Sequence, residues 1–304
     1  MPALSLLLPG NALVPLCSVV VRSARSGQHS PAGIIPPMTS RARVYRTEAV
    51  VLRRMDLGEA DRLLTLFTPV EGKVRAIAKG VRRPGSRKAG HLEPFTRARL
   101  MLARGRELDI ITQAEAIDWY PHLRADLERL GTASYVVELF DRFTVQEGPT
   151  ASFFELLVAA LSQLDNGVDL ASLSRYYELR LLDLVGYRPE LFHCVNCRRE
   201  IQPEAQFFSY ADGGVLCPRC GNRAHGVGQI SLPALKVLRH YQRSSFGVAA
   251  APEVRREVHA ELERLMEGYL TYLLERKLNA PEFVRRVREL PERRFDADVP
   301  TEHG

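Results

Sequence analysis

The sequence predicts an α+β protein on three observations. Between residues 44 and 117 it reads as short β-like segments broken by turn residues. After Trp119 the apolar residues fall at helical spacing. Inside that helical part sit two cysteine pairs, Cys194-x-x-Cys197 and Cys217-x-x-Cys220. Together these predict a five-stranded OB-fold barrel followed by an α-helical bundle that carries a four-cysteine knuckle.

The strands come in order. Residues 44–52 are rich in β-branched and apolar types, and residues 63–68 (LLTLFT) end at Pro69. Glu71-Gly72 turns the chain into residues 73–79, which alternate with period two. The stretch from Gly80 to Gly90 holds three Gly, one Pro and four basic residues, so it is a loop. Residues 95–102 and 108–117 make the final hairpin, turned at Arg104-Gly105-Arg106. Five short strands in so few residues fit a small closed barrel.

Helices follow. Leu123, Leu127, Leu130, Tyr135, Val136, Leu139 and Phe143 predict one helix, stopped by Gly148-Pro149. Residues 153–164 and 170–185 are the next two, separated by Asn166-Gly167. Ser231-Leu232-Pro233 is an N-cap with proline in the first turn, leading a helix to about Tyr241. Pro252 opens a last helix through Leu278, with Val258, Leu262, Leu265, Tyr269, Leu270 and Leu273 on its buried face. The expected organisation is a leader (1–40), a barrel domain (41–119), a helical domain (120–190 and 229–290) with the knuckle inserted at 191–228, and a charged tail (291–304).

The leader contains no Asp or Glu, and its first basic residue is Arg22. That is wrong for the positive start of a secretory signal. An organellar transit peptide is one reading; a true start at Met38, with a translated upstream region before it, is the simpler one. Cys17 lies in this leader and is expected to have no partner. No apolar run approaches the length needed to cross a membrane.

The four cysteines carry the clearest chemistry. Nineteen residues separate the pairs, a spacing that suits a Cys₄ zinc site. A redox C-x-x-C needs only one pair beside a βαβ pattern, and two disulfides need an oxidising compartment. With Cys194, Cys197, Cys217 and Cys220 all ligating, no position is left for water, so one Zn²⁺ is expected to serve the fold. His193 and His225 flank the cysteines as ordinary polar residues.

Net charge is +6, from 42 Lys and Arg against 36 Asp and Glu. Arginine outnumbers lysine 37 to 5, which GC-rich coding explains by itself. Position is more telling: residues 71–109 hold eleven basic residues against four acidic ones, and the remainder is near neutral. Lys73, Arg75 and Lys79 share one strand face, Arg82, Arg83, Arg87 and Lys88 extend it along the loop, and Arg97 and Arg99 add the next strand. Charge concentrated on such a fold points to phosphates of nucleic acid, against the plainer reading of a solvated face. Gly80, Gly85 and Gly90 would let the loop backbone approach phosphates. Tyr45, Phe67 and Phe95 could stack on bases but sit among core-forming residues. Gly80-x4-Gly85 is not a phosphate loop, because Ser86-Arg87 stands where Lys-Ser/Thr is required. No catalytic motif is present, so the sequence reads as a binder and not an enzyme.

Residues 46–52 (RTEAVVL), 58–68 (GEADRLLTLFT), Glu71-Gly72-Lys73 and 78–83 (AKGVRR) resemble the N-terminal domain of the bacterial RecO family of DNA repair proteins. Residues 177–182 (YELRLL), 186–189 (GYRP) and the four cysteines resemble its helical and zinc portions. The resemblance covers residues 44–278. It implies binding of single- and double-stranded DNA, annealing of complementary strands without ATP, and help for RecA, with RecR, in replacing single-strand DNA-binding protein at gaps. It further implies a bacterial cytoplasmic location, at the nucleoid during repair. Lys79, Arg82 and Arg83 match the family's basic stretch. A zinc-knuckle OB-fold RNA-binding or transcription factor would share the charge and the cysteines, and remains the alternative at this point.

Overall fold

The computed structural model describes residues 43–144, 150–249 and 253–275. The leader with Cys17 and Met38, the Gly148-Pro149 stop, Pro252, Leu278 and the charged tail lie outside the described residues.

Strands β1 (Val44–Leu57), β2 (Asp61–Thr68), β3 (Gly72–Ala78), β4 (Arg97–Ala103) and β5 (Asp109–Asp118) close into a barrel in the order β1-β2-β3-β5-β4. All neighbours are antiparallel except β3 and β5, which meet in parallel at Ala76–Asp109 and Ile77–Ile110. The interior is filled by alternate residues, among them Ala49, Val51, Leu64, Leu66, Ala76, Ala98, Leu100, Leu102 and Ile111. Residues on the opposite face of the same strands, Val50, Leu52 and Phe67, pack outward against helices. That is why residues 49–52 read as an unbroken apolar run: both faces are buried. β1 runs five residues further than the sequence predicts. A register shift between Val51 and Arg53 carries it on as one arm of an exposed β1–β2 hairpin.

The chain then enters helices α1 (Pro121–Ala125), α2 (Leu127–Phe143), α3 (Ala151–Asp165) and α4 (Leu170–Leu184). The single helix expected across 123–143 is broken at Asp126, whose carboxylate accepts the amides of Glu128 and Arg129 at 2.9 and 3.0 Å. An N-cap here satisfies donors that a continuous helix would have paired internally, so the chain restarts. Strands β6 (Gln206–Ser209) and β7 (Gly214–Leu216), the one-turn α5 (Pro218–Gly221) and β8 (Val227–Ile230) follow. Helices α6 (Leu232–Arg243), α7 (Phe246–Ala249) and α8 (Arg256–Leu274) complete the described chain. Ser231 caps α6 as its sequence predicts, accepting the Ala234 amide at 3.3 Å. Val258, Leu262, Leu265, Tyr269 and Leu270 are the buried face of α8.

A buried ionic group ties three helices of the bundle together. The Glu178 carboxylate on α4 receives Arg175 at 2.7 Å and the Tyr135 hydroxyl of α2, and Arg175 also donates to the Leu262 carbonyl of α8. Burial pushes the Glu178 carboxyl up to about 7, while Arg175 pulls it back towards the charged form.

Barrel and bundle are joined by Phe67 on Phe140, edge to face at 4.6 Å, and by Lys73. The Lys73 ammonium donates to the Asp141 carboxylate (2.7 Å) and to the carbonyls of Asp141 (2.9 Å) and Thr144 (3.0 Å) at the end of α2. A cation there satisfies carbonyls the helix leaves unpaired. Lys73→Met should therefore cost stability, about 1–3 kcal/mol from unpaired acceptors, read as a lower denaturant midpoint. A wild-type midpoint would mean these contacts do not hold barrel to bundle.

Candidate nucleic-acid interface and metal centre

The nine basic residues singled out from the sequence separate into two groups. Lys73 is turned into the barrel–bundle joint. Arg97 is held between Glu48 (2.7 Å) and Asp118 (3.1 Å), and Arg99 faces Glu115 at 3.3 Å on an exposed surface. Arg82 donates to the Gly58 carbonyl at 2.9 Å and lies 3.5 Å from Asp56. Lys88 donates to the carbonyls of Lys79 and Ile111, at 3.2 and 3.3 Å. These five already have protein partners.

The other four do not. Arg75, Lys79, Arg83 and Arg87 are exposed, and no ion pair engages them among the described residues. Arg75 stands on the outer face of β3 opposite Thr65. Lys79, expected at the end of this strand, lies instead in the turn that follows its last paired residue, Ala78. Arg83 and Arg87 lie in the β3–β4 connection, which contains only turns and a 3₁₀ turn at Ala89–Leu92. No helix opens after Gly85, in keeping with the absence of a phosphate-loop motif.

The anchored residues fix where the free ones stand. The amide of Arg82 donates to the Ala60 carbonyl at 2.9 Å, and the Gly80 amide to the Asp61 carboxylate at 2.7 Å, pinning the start of the connection to the β1–β2 hairpin. Gly80 needs its left-handed φ of 64° for this exit from the strand. Lys88, bonded to the Lys79 carbonyl, brings the far end of the loop back to its base. Gly58 and Asp61 are thus loop-positioning residues. In the sequence they stand out only as part of a turn between strands, since the register that aims them at residues 80–82 is set by the barrel.

None of the three aromatics considered for stacking is free. Phe67 and Phe95 are buried, and Tyr45 hydrogen-bonds Asp109 at 2.5 Å beneath the Arg104 guanidinium.

The candidate metal centre is built by two turns. In the first, the Arg198 amide returns to the Cys194 carbonyl (2.8 Å), with Arg198 in a left-handed conformation at φ 61°. In the second, α5 starts at Pro218 and the Gly221 amide returns to the Cys217 carbonyl at 2.8 Å. Gly221 is required there, because a Cβ would lie 2.2 Å from the Phe207 ring. The four Sγ atoms of Cys194, Cys197, Cys217 and Cys220 all lie within 4.8 Å of one another, and no other His, Cys, Asp or Glu joins them among the described residues. His193 and His225 stay on the exposed surface. The Cys197 and Cys217 sulfurs are 3.8 Å apart. That matches the edge of a sulfur tetrahedron with bonds of about 2.3 Å.

The thiols are unequal. The Arg199 guanidinium, 3.4 Å from Cys197, holds that thiol down to about 6. Burial opposes ionisation of Cys194, yet the amides of Cys197, Cys217 and Asn196 outweigh it and keep its thiol below the usual range. Burial and the neighbouring thiols push Cys220 up to about 12. Four crowded sulfurs cannot all be anions by themselves, and a divalent cation removes that conflict. The cluster can hold one metal ion. The small sheet β7-β6-β8 behind it was not foreseen, though Gly213-Gly214 marks its tight turn.

The chain matches the model of the recombination protein O N-terminal domain over residues 38–120 and that of the C-terminal domain over residues 124–282. It is 42% identical over 254 residues to a DNA repair protein RecO from Roseiflexus sp. (strain RS-1), covering 82% of this chain and 88% of the relative. It is 37% identical over 257 residues to the RecO of Pelotomaculum thermopropionicum (84% and 100%), and 35% identical over 236 residues to that of Dehalococcoides mccartyi strain 195 (78% and 93%). Among the described residues no helix is long and apolar enough to cross a membrane. A five-stranded barrel joined to helices, a four-cysteine cluster and these matches agree: the chain belongs to the RecO family of DNA repair proteins.

Proposed function

We propose that this chain is a recombination mediator. It binds single- and double-stranded DNA, anneals complementary strands without ATP, and assists RecA loading with RecR on DNA coated by single-strand DNA-binding protein, in the bacterial cytoplasm at the nucleoid. The observation that carries this reading is the set of exposed cations Arg75, Lys79, Arg83 and Arg87 on an OB barrel, which lack the carboxylate partners that hold Arg82, Arg97 and Arg99 among the described residues. Phosphates are alike on every nucleotide, so a cation track binds without sequence preference. Annealing then needs only that the repulsion between two strands be screened, and no nucleotide triphosphate or catalytic group enters. One Zn²⁺ on Cys194, Cys197, Cys217 and Cys220 serves the fold.

The test is annealing of two complementary oligonucleotides by purified protein, with and without ATP. Equal acceleration in both is expected. No acceleration in either overturns the annealing role, and strict dependence on ATP overturns the mechanism. Addition of RecR and RecA to strands coated with single-strand DNA-binding protein then reads the loading step.

A further inference from the structure

Where the small sheet meets the bundle, a cleft of about 680 Å³ opens, within the roughly 300–1,000 Å³ of ligand-binding clefts. One wall is the β6–β7 turn, with Tyr210 and Asp212. The other is the exit of α4 and the end of α8, with Tyr187, Tyr269, Tyr272 and Glu275. Two of these rings belong to the frame. Tyr269 is buried, and its hydroxyl donates to the Tyr187 carbonyl at 3.0 Å. It comes so near the turn that a Cβ on Gly213 would lie 2.7 Å from that hydroxyl. Tyr210 is wedged between Gly228 and Gly268, where an added Cβ would lie 2.5 and 2.9 Å from its atoms. Glycine at these positions lets the rings close the back of the cleft.

The other two rings are open. Tyr187 and Tyr272 are 51% and 52% exposed, and neither packs on another ring among the described residues. The charge beside them is negative. Asp212 accepts the Ser209 hydroxyl at 2.7 Å, Glu275 is exposed, and no cation engages either carboxylate among the described residues. Arg188, also in the wall, faces Asp183 at 3.7 Å. In a chain of net charge +6, open rings beside unpaired carboxylates select for a particular chemistry. A guanidinium meets both demands, because it stacks on an aromatic face and donates to carboxylates at its edge. The chain already makes this pairing internally: Arg104 lies over the Tyr45 ring at 4.3 Å while donating to Glu71 at 2.7 Å. A nucleic-acid strand offers bases to the rings, but its phosphates are repelled by Asp212 and Glu275. A purely apolar segment would strip water from those carboxylates without pairing them.

We propose that this cleft docks a basic segment of a partner protein, with arginine side chains lying on Tyr187 and Tyr272 and paired with Asp212 and Glu275. The surface shares no residue with the cation set on the barrel, so protein partner and DNA have separate sites on the chain.

The probe is a fluorescein-labelled (Gly-Arg)₄ peptide, titrated into the full chain and followed by anisotropy. Tyr187→Ser/Tyr272→Ser is expected to weaken binding about tenfold, as for loss of two cation–π contacts, with affinity for oligo-dT unchanged. Tyr272→Ser alone should show part of the loss and guards against misfolding of the double variant. Tyr272→Phe keeps the ring and should bind as the wild type does. Asp212→Asn/Glu275→Gln should weaken the peptide about threefold to tenfold and reduce the salt dependence of its binding. A peptide with citrulline in place of arginine, uncharged but of similar shape, should not bind. Absence of binding to the wild type, equal binding of the citrulline peptide, or wild-type affinity in the ring variants overturns the proposal. So does a parallel loss of oligo-dT affinity in the ring variants, which would assign the cleft to the DNA path.

Discussion

Replacing Arg83 and Arg87 together by alanine is expected to flatten the salt dependence of single-strand binding by roughly one to two log–log units. Each phosphate neutralised on a single strand contributes a slope of about −0.7 through counterion release, so two lost contacts account for that change. Near physiological salt the variant should bind about tenfold or more weakly and anneal more slowly. Folding should be unaffected, since both side chains are exposed and neither makes an ion pair among the described residues. Arg82 is a poorer choice for this test. It holds Gly58 and Asp56, so its loss would move the loop as well as remove a charge. The same measurement on Lys73→Met should leave the slope at its wild-type value, because that ammonium faces the end of α2. A wild-type slope in the Arg83/Arg87 variant would mean that the basic loop is only a solvated face and that the DNA path lies elsewhere.

The contrast between Arg83 and Lys73 shows where sequence reading stops. Alternation along β3 places Lys73 and Arg75 outside the barrel, because period two is a local property of any strand, whereas Lys79 falls in the turn just past the strand's end at Ala78. What covers that outside is not local. The first part of the outer face, around Phe67 and Lys73, lies under α2, whose carbonyls come from 68 to 71 residues away in sequence. Arg97 is neutralised by Glu48 and Asp118 for the same reason: register across β1, β4 and β5 brings them together.

The cysteines were legible for the opposite reason. Spacing within each C-x-x-C fixes a turn, and the tetrahedral geometry of a four-sulfur site sets the distance between the turns, so chemistry substitutes for long-range information. Sulfur atoms gathered within 4.8 Å follow from the pattern alone. The sheet β7-β6-β8 does not, since strands of three or four residues carry little periodic signal.

Replacing Cys220 by serine should have the largest effect on the fold. Apparent zinc binding by structural sites is worth about 10–16 kcal/mol, comparable to the roughly 5–15 kcal/mol by which a whole domain is stable. Apart from the cysteine sulfurs, backbone bonds are all that joins the two turns directly: the first is closed at Cys194 and Arg198 and tied to β7 by the Val195 amide on the Val215 carbonyl (2.9 Å), the second by α5, a single turn. Metal content should fall from one zinc per chain to well below it, and protease cleavage should appear between residues 190 and 225. The loss should reach into the bundle. Leu191, Cys194, Ile201, Phe208 and Val215 belong to the same core cluster as α2, α4 and α8, and Phe208 packs edge to face on Tyr269 at 5.3 Å. The barrel interior is a separate cluster, so the salt slope of DNA binding should survive where the melting temperature does not. Acid should mimic the substitution, because protons compete with the metal for thiolates. Carefully reduced wild-type protein that contains no zinc, and whose melting is indifferent to a chelator, would remove the metal from this account.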